Sequence, residues 1–391
     1  MVTLNNSTAI FKLGVDDISL DLFESQYPVP NGVSYNSYLI LDEKIAVMDT
    51  VDPRATEAWL ANLTEALAGQ TPDYLVVSHM EPDHAASIGH FVARYPAAKI
   101  VGNAKTFAQM QQFFPGVVDA EKKHEVKEGD VLTLGTHSLT FVMAPMVHWP
   151  EVMVAYEASE KILFSADAFG KFGALSHAEE WAAESRRYFI NIVGKYGLQV
   201  QGLLKKAAGL DIATICPLHG PVLEGAEIAQ AVALYQMWSS YQAENPQEIF
   251  LAYASIHGNT KAAALHLAER LRAKGAAVTT MDLCRTDVSY AVAEAFRCGK
   301  LVLATATYDA SIFPPMEAFL HHLKSKNFQK RTIALVENGT WAPMAAKIMR
   351  AECEGFKQVD ILPEIVTIRS VMNAESVAQM EVLADILTAK E

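Results

Sequence analysis

Hydrophobic and polar positions follow two different patterns along the chain. From residue 248 onward, short apolar runs alternate strictly with stretches that have helical spacing. The runs EIFLAYAS, AVTTMDLC, KLVLATATY, RTIALVEN and IVTIRS each predict a buried strand, and each is followed by a predicted helix. Five strands that alternate with five helices predict a doubly wound parallel sheet, with helices on both faces.

The first part of the chain predicts a different architecture, in which strands are followed by mixed strands and helices. GVSYNSYLIL and IAVMDTV flank a polar turn and predict a hairpin, and VLTLGTHSLTFVMAP and VMVAYEASEKILFSAD each predict two paired strands. Helical spacing predicts one helix over residues 83–95 and one long helix over residues 177–209. The polar stretch Tyr241–Gln247 separates the two patterns, so we predict two domains, residues 1–246 and 247–391.

Composition narrows the class of protein. The length of 391 residues fits two domains, and 51% hydrophobic with 20% charged residues is typical of a globular protein. A net charge of -13 disfavours nucleic acid and anionic membranes as partners. The four cysteines form no CxxC pair, which excludes a disulfide scaffold and a cysteine-ligated metal site and predicts a reducing cytoplasm. We expect neither a signal peptide nor a membrane span.

The segment HMEPDH, residues 79–84, carries the densest set of potential metal ligands. His79 and Glu81 lie two residues apart on a predicted loop, and Asp83 and His84 lie at a predicted helix start. One loop of this kind could serve two metal ions about 3.5–4 Å apart. Three further donors follow later apolar runs: His148, Asp167 and His219.

The chemistry of these donors leaves more than one metal open. Four imidazoles and three carboxylates shift the preference from zinc toward iron or manganese, because hard oxygen ligands suit those ions. A binuclear zinc hydrolase with an accessory second domain stays an alternative. So does an electron carrier in which the metal is structural.

Three predicted loops at the carboxyl ends of strands in the second domain suggest a binding site for FMN. The first loop joins a strand to a helix and is rich in small polar residues, which suits a phosphate. The other two contain Tyr308 and Trp341, which could flank a flat ring. The predicted contacts are Ser255, Ile256, His257, Gly258, Asn259, Thr260, Thr305, Ala306, Thr307, Tyr308, Asp309, Asn338, Gly339, Thr340, Trp341 and Ala342.

Both halves resemble known families. The order of HMEPDH, His148, Asp167 and His219 resembles the metallo-β-lactamase superfamily, whose HxHxDH motif has a histidine where Glu81 stands here. That resemblance implies an αββα sandwich. Residues 248–391, above all GNT after the first strand, resemble the flavodoxins. The combination resembles the flavodiiron proteins, also called A-type flavoproteins.

The flavodiiron resemblance implies a ligand assignment. His79, Glu81 and His148 would bind one iron ion, and Asp167 would bridge to a second. Asp83, His84 and His219 would bind that second iron ion. Three residues are expected near the iron pair or as proton donors: Tyr196, Trp149 and His177.

The resemblance also implies an activity. A flavodiiron protein would reduce O2 to water, or NO to N2O, with electrons relayed through FMN from a small redox protein such as rubredoxin. It implies a head-to-tail homodimer, or a dimer of such dimers. The sequence does not choose between O2 and NO.

Overall fold

The computed structural model describes residues 2–4 and 7–389. They divide into two compact units. The first unit comprises the residues up to Phe189 together with Tyr196–Gln236, and the second comprises Ile190–Lys195 and the residues from Met237 onward. The boundary between residues 246 and 247 stays a prediction, and in the structure that position lies within the strand Asn245–Ala254.

The first unit contains two large β-sheets. Its strands are β1 (Val2–Thr3), β2 (Ile10–Lys12), β3 (Val15–Asp17), β4 (Leu22–Phe23), β5 (Tyr27–Pro28), β6 (Val33–Tyr35), β7 (Tyr38–Ile40), β8 (Ala46–Met48), β9 (Tyr74–Val76), β10 (Lys99–Gly102), β11 (Lys123–Glu125), β12 (Val131–Thr133), β13 (Ser138–Met143), β14 (Met153–Glu157), β15 (Ile162–Phe164), β16 (Thr214–Cys216) and β17 (Leu223–Glu224). The strand order is β1-β2-β7-β8-β9-β10-β11 in one sheet and β12-β13-β14-β15-β16-β17 in the other, while β3–β6 and β4–β5 form small ribbons.

The helices of this part of the chain are α1 (Thr56–Leu67), α2 (Pro82–Ala85), α3 (Ile88–Arg94), α4 (Ala104–Phe113), α5 (Trp181–Tyr188), α6 (Gly197–Ala207) and α7 (Ala226–Ser239). The core lies between the two sheets, where Met48 and Val76 of one sheet pack in one cluster with Phe141 and Phe164 of the other. The opposite face of the first sheet is buried as well, and the rings of Trp59 in α1 and Phe91 in α3 lie 6.4 Å apart. The predicted αββα sandwich is confirmed.

The predicted hairpins are present, but two predicted helices are interrupted. The helix over residues 83–95 is divided into α2 and α3, and between them the buried Ser87 hydroxyl bonds to the Val51 carbonyl and to Thr56. The long helix over residues 177–209 is divided into α5, a π-helical turn Phe189–Val193, a 3₁₀ turn Gly194–Tyr196 and α6. The 3₁₀ turn begins at Gly194 and α6 begins at Gly197, and glycine is a poor helix former.

The second unit is the predicted doubly wound sheet. Its strands are β18 (Asn245–Ala254), β19 (Val278–Asp282), β20 (Cys298–Tyr308), β21 (Ser311–Ile312), β22 (Thr332–Asn338) and β23 (Asp360–Ile368), and its helices are α8 (Asn259–Ala273), α9 (Val288–Arg297), α10 (Pro314–Ser325), α11 (Ala345–Cys353) and α12 (Ala374–Thr388). Five strands run parallel in the order β19-β18-β20-β22-β23, and the short β21 pairs antiparallel with β20.

Helices cover both faces of this sheet. Leu267 of α8 and Leu383 of α12 pack with Leu251 on one face. Phe319 of α10 meets Phe250 on the other face, at a ring distance of 6.3 Å. Because the chain order reverses between β18 and β20, the loops that follow these strands diverge and leave a crevice at the carboxyl edge. None of the described helices is both long and apolar enough to cross a membrane.

Candidate metal centre and flavin cavity

The segment His79–His84 follows β9 and is held by the loop after β8. Asp49 accepts hydrogen bonds from the backbone N–H groups of Ser78, at 2.6 Å, and His79, at 3.4 Å. The Thr50 hydroxyl donates to the His84 carbonyl at 2.6 Å. These buried bonds fix the backbone on both sides of Glu81, which suits a segment whose side chains must converge.

The first group of donor atoms comes from His79, Glu81, His148 and Asp167. The Nε2 atom of His79 lies 3.3 Å from Glu81 Oε2 and 3.3 Å from His148 Nε2. His148 Nε2 lies 2.9 Å from Glu81 Oε2 and 3.2 Å from Asp167 Oδ2. We call His79, Glu81 and His148 the first donor set.

The second group of donor atoms comes from Asp83, His84 and His219, and it shares Asp167 with the first. His84 Nε2 lies 3.0 Å from His219 Nε2 and 3.2 Å from Asp83 Oδ2. The other oxygen of Asp167, Oδ1, lies 3.2 Å from His84 Nε2. We call these three residues the second donor set, and Asp167 links it to the first. All seven predicted metal ligands therefore meet in one cluster.

The cluster fits metal ions better than it fits internal hydrogen bonding. Both carboxylate oxygens of Asp83 and of Asp167 are buried and have no hydrogen-bond partner among the described residues. Within each donor set the ligand atoms lie within 4.8 Å of one another. Two groups of imidazole nitrogens and carboxylate oxygens, joined by one carboxylate, are what a binuclear site requires.

The charges in the cluster favour added positive charge. Burial lowers the pKa of His84, but the charges of Asp83 and Asp167 outweigh burial and raise that pKa to about 10. Burial also lowers the pKa of His148, yet the adjacent carboxylates of Asp167 and Glu81 raise it to about 9. Without a metal, the carboxylates thus hold protons on the imidazoles, and a bound cation would replace those protons.

A small cavity opens beside the cluster within the first unit. It has a volume of 310 Å³, and its lining includes Phe23, Glu24, Tyr35, Glu81 and Asp83. Burial, and then the charge of Glu81, raises the pKa of Glu24 to about 7. The cavity is large enough to admit a diatomic molecule.

The three predicted flavin loops surround a second cavity, which lies in the second unit and has a volume of 450 Å³. Of the predicted contacts, the lining contains Ser255, Ile256, His257, Asn259, Thr260, Ala306, Thr307, Asp309, Asn338, Gly339, Thr340, Trp341 and Ala342. It also contains Ala310, Met344 and Ser370, which the sequence analysis missed. Ser370 follows β23, a strand whose loop we did not consider.

Three predicted contacts do not line this cavity. Gly258 precedes α8 with a φ of +92°, a backbone conformation that favours glycine. Thr305 is fully buried inside β20. Tyr308 turns its ring to Phe313, at 5.6 Å. These residues shape the loops and do not face the cavity.

The first flavin loop suits a phosphate. The Ser255 hydroxyl accepts a hydrogen bond from the Gly258 N–H at 3.1 Å, which closes the turn before α8. The first turn of a helix presents N–H groups that have no acceptor within the helix, and the helix dipole favours an anion there. The cavity reaches Asn259 and Thr260 in that turn.

Asn338 ties this loop to the one after β23. Its amide nitrogen donates to the Thr260 hydroxyl at 3.3 Å and to the Ser370 carbonyl at 3.0 Å, and its oxygen accepts from the Ser370 N–H at 3.0 Å. On the other side of the cavity, Trp341 is 87% exposed. An open aromatic ring above a hydrogen-bonded floor fits a flat ring system such as that of FMN.

Comparison with known proteins shows what the chain is similar to. Residues 33–220 match the family model described as ODP family beta lactamase. The anaerobic nitric oxide reductase flavorubredoxin of Pectobacterium atrosepticum is 30% identical over 82% of this chain and 64% of its own length. The rubredoxin oxygen:oxidoreductase of Desulfovibrio gigas has 26% identity and a TM-score of 0.90, over 99% of this chain and 98% of that one. Over nearly its whole length the chain is thus similar to a rubredoxin oxygen:oxidoreductase, and over most of it to a flavorubredoxin.

A second solved structure extends the likeness in fold. The flavodiiron protein of Giardia intestinalis covers 99% of this chain and 96% of its own, with a TM-score of 0.92 at 24% identity. The chain spans less than two thirds of the flavorubredoxin's length, so that relative has sequence to which nothing here corresponds.

The three neighbours that we predicted for the iron pair lie in different places in the structure. The ring of Trp149 lies 5.3 Å from that of His79 and 6.2 Å from that of His148. His177 is exposed, with its Nδ1 atom 3.4 Å from the Ser176 hydroxyl. Tyr196 is half-buried at the start of α6. No described ring contact or hydrogen bond joins His177 or Tyr196 to the donor sets. A different tyrosine of the same predicted helix lies beside them.

That tyrosine is Tyr188, at the end of α5. It is buried, its ring lies 5.6 Å from that of His219, and its hydroxyl has no hydrogen-bond partner among the described residues. Burial, and then the charge of Asp167, raises the pKa of this hydroxyl well above its usual value. Nothing in the sequence distinguishes Tyr188 from the other aromatic residues of its predicted helix.

Proposed function

We propose that this protein is a flavodiiron protein that reduces O2 to water, NO to N2O, or both, at a non-haem pair of iron ions, with electrons supplied through FMN by a small redox protein such as rubredoxin. The observation that carries the proposal is the convergence of two donor sets on Asp167. The names of its relatives support it, since one is a nitric oxide reductase and another a rubredoxin oxygen:oxidoreductase.

The donor atoms support iron. Each donor set offers two imidazole nitrogens and one carboxylate oxygen, and Asp167 adds one oxygen to each. We propose that His79, Glu81 and His148 hold one ion, that Asp83, His84 and His219 hold the other, and that Asp167 bridges them. Carboxylates favour iron over softer zinc and help to stabilise its higher oxidation state.

The cavity of the second unit would hold FMN. We propose that the first turn of α8 binds its phosphate and that the loops Ala306–Asp309 and Asn338–Ala342 hold its ring. When bound, FMN and iron supply the electron-transfer chemistry, and the protein places them and sets their potentials.

Residues around the cluster would limit its contact with water and could bind the substrate. The imidazoles of His79, His84 and His219 are fully buried, and the cavity lined by Glu24 and Glu81 lies beside the cluster. The Tyr188 hydroxyl could donate a hydrogen bond to a molecule in the cluster, and Trp149 covers the side of His79. Exclusion of water strengthens every charge interaction inside the site.

The zinc hydrolase alternative accounts for fewer observations. It gives no role to the cavity of the second unit or to the carboxylate of Glu81, and the relatives compared above carry oxidoreductase names. We also propose that the chain acts in the cytoplasm as a head-to-tail homodimer, which sedimentation of the FMN-loaded protein would test.

One experiment tests the proposed function. The purified protein is analysed for metal and flavin, and its consumption of O2 and of NO is measured side by side with one reduced donor. We expect two iron ions and one FMN per chain, with rapid consumption of at least one gas. Zinc in place of iron, without flavin, would contradict the proposal. The ratio of the two rates gives the substrate preference.

A further inference from the structure

The two donor sets differ in the hydrogen-bond partners of the histidine nitrogens that face away from the cluster. Glu151, in the turn between β13 and β14, is 1% exposed. Its Oε1 atom lies 2.8 Å from His79 Nδ1 and accepts the Met80 N–H at 2.9 Å. Its backbone carbonyl accepts a hydrogen bond from the Asn103 amide at 2.6 Å. Glu151 is therefore fixed at both ends and faces the side of His79 that is remote from the cluster.

The second Glu151 oxygen strengthens this arrangement. Oε2 is buried and has no hydrogen-bond partner among the described residues. A buried carboxylate with one oxygen unpaired is costly unless a nearby positive charge compensates for it. Because Glu151 Oε1 contacts the imidazole of His79, a cation bound at that imidazole would supply the compensating charge.

The histidines of the second donor set have weaker partners. His219 Nδ1 lies 2.8 Å from the neutral backbone carbonyl of Ser34. His84 Nδ1 is buried and has no hydrogen-bond partner in the described part of the chain. In the first donor set the Nδ1 atom of His79 thus contacts a carboxylate. In the second, one Nδ1 atom contacts a backbone carbonyl and the other has no hydrogen-bond partner among the described residues.

A carboxylate that accepts the outer N–H of a metal-bound histidine makes that imidazole a stronger donor and orients its ring. It also places one more negative charge near that metal ion. We propose that Glu151 makes the two metal positions unequal, so that the position of His79, Glu81 and His148 takes the first ion and the position of Asp83, His84 and His219 is the one that exchanges. The identity of the native ion rests on the proposed function, but the order of loading does not.

The order can be measured with Co²⁺ alone. One equivalent is added to the metal-free protein, crystals are grown, and anomalous scattering gives the occupancy of each position. We expect the first position to be filled preferentially in the wild type. In Glu151→Gln, which keeps the shape and an accepting oxygen but removes the charge, the ratio of occupancies should fall by about 10–100-fold.

A measurement of Co²⁺ affinity in solution complements the occupancies from the crystals. Competition between the protein and a chelator, followed by the visible absorbance of bound Co²⁺, gives the dissociation constant of the first ion. That constant should rise by about 10–100-fold in Glu151→Gln. Glu151→Asp, which keeps the charge, should recover part of the affinity.

The matched control is Glu157→Gln. Glu157 lies at the end of β14, is fully buried, and accepts the backbone N–H groups of Ser159 and Glu160 at 3.0 and 2.7 Å. Its charge is not directed at a donor set, so the loading ratio should not change.

Equal occupancy of the two positions in the wild type would overturn the proposal, and this result is decisive even if Glu151→Gln does not fold. An unchanged ratio in a folded Glu151→Gln protein would also overturn it. Neither measurement uses FMN, O2 or NO, so the loading order can hold where the proposed reductase activity fails, and the reverse.

Discussion

The metal cluster and the flavin cavity are built in opposite ways. In the first unit, side chains from four separate segments converge in the interior, and His79, His84, Asp167 and His219 are fully buried. In the second unit, loops at one sheet edge surround an open cavity, and Trp341 is almost wholly exposed. The first site is specified by side-chain chemistry and the second by backbone shape. Substitutions should therefore affect the two sites independently and by different amounts.

The largest effect is expected at the carboxylate that joins the donor sets. Asp167→Ala removes an oxygen from each of them, so both metal positions lose a ligand. We expect metal content to fall and gas consumption to drop by more than about 100-fold. Loss of a residue that only hydrogen-bonds a metal ligand already costs about 10–100-fold, and Asp167 would be a ligand itself. Metal analysis and an oxygen electrode measure these changes.

FMN content should be unaffected by Asp167→Ala if the sites are independent. The control is Asp211→Ala in the same unit, where an exposed carboxylate pairs with Lys161. Its metal content should match the wild type. Full metal content in Asp167→Ala would show that the cluster is not the metal site.

The next effect concerns the kind of metal. Glu81→His replaces an oxygen donor of the first set with a nitrogen donor. Because imidazole suits zinc at least as well as iron, the ratio of bound iron to bound zinc should fall by about tenfold in the variant. Dialysis against equimolar Fe²⁺ and Zn²⁺ under argon, followed by metal analysis, measures the ratio. An unchanged ratio and unchanged turnover would contradict the role that we give to Glu81.

A smaller effect is expected in the flavin cavity. Asn338→Ala removes the hydrogen bonds that tie Thr260 to the loop after β23. Loss of one or two such bonds, at about 1 kcal/mol each, should weaken FMN binding by about 5–30-fold. Quenching of flavin fluorescence on titration of the apoprotein measures this. Metal content should stay constant.

The control for Asn338 is Asn245→Ala, at the exposed start of β18. It should bind FMN like the wild type. If both substitutions weakened FMN binding equally, the cavity described here would not be the flavin site.

The smallest effect concerns a third group of histidine and carboxylates, which lacks the geometry of the donor sets. His137 Nδ1 lies 2.8 Å from Asp42 and its Nε2 lies 3.2 Å from Glu160, so its two nitrogens face different carboxylates. Burial lowers the pKa of His137, but hydrogen bonds to these two residues outweigh burial and raise it. Burial raises the pKa of Asp42, yet hydrogen bonds, first from the His137 backbone, lower it to about 2.

The sign of the pH dependence follows from these directions. The His137 contribution is complete below its ordinary pKa of 6.5 and is lost as pH rises through the raised value. The Asp42 contribution is present above its ordinary pKa of 3.8 and is lost as pH falls through about 2. His137→Ala should therefore destabilise the protein most between these two ordinary values.

Urea unfolding of His137→Ala at about pH 5 and about pH 9 measures the difference, which should be about 1 kcal/mol or less. His90→Ala, which removes an exposed histidine of α3, is the control for the loss of a histidine. A chelator should not alter the effect, whereas it should alter any effect that arises at the donor sets. Equal loss at both pH values would contradict the assignment.

The sequence predicted most of what depends on residue type and little of what depends on tertiary placement. The seven donors are His, Asp and Glu at strand ends, and such residues are recognisable along the chain. The sheet of the second unit followed from its regular alternation. Glu151 stands three residues after His148, yet an acid there is ordinary in a sequence, and only the fold shows that it reaches His79.

The same reason applies to the predicted residues that the structure does not bring into contact with the donor sets. Tyr196 and His177 fall within the predicted continuous helix of residues 177–209, whereas in the structure His177 precedes α5 and Tyr196 ends the 3₁₀ turn before α6. Ser370 was missed because its strand lies at the sheet edge, and its contact with Asn338 joins residues that are distant in sequence.

The interrupted helix has a consequence for modularity. Its middle, Ile190–Lys195, belongs to the second unit, although the chain on both sides belongs to the first. Asn191 donates to the Ser289 carbonyl at 3.2 Å, and the Tyr241 hydroxyl donates to the Gly194 carbonyl at 3.0 Å. A gene fragment that starts at Met237 would omit both contacts. To exchange the second unit intact, recombination would therefore also have to transfer the codons for residues 190–195, which lie within the segment that encodes the first unit. A single crossover at the domain boundary would not do this.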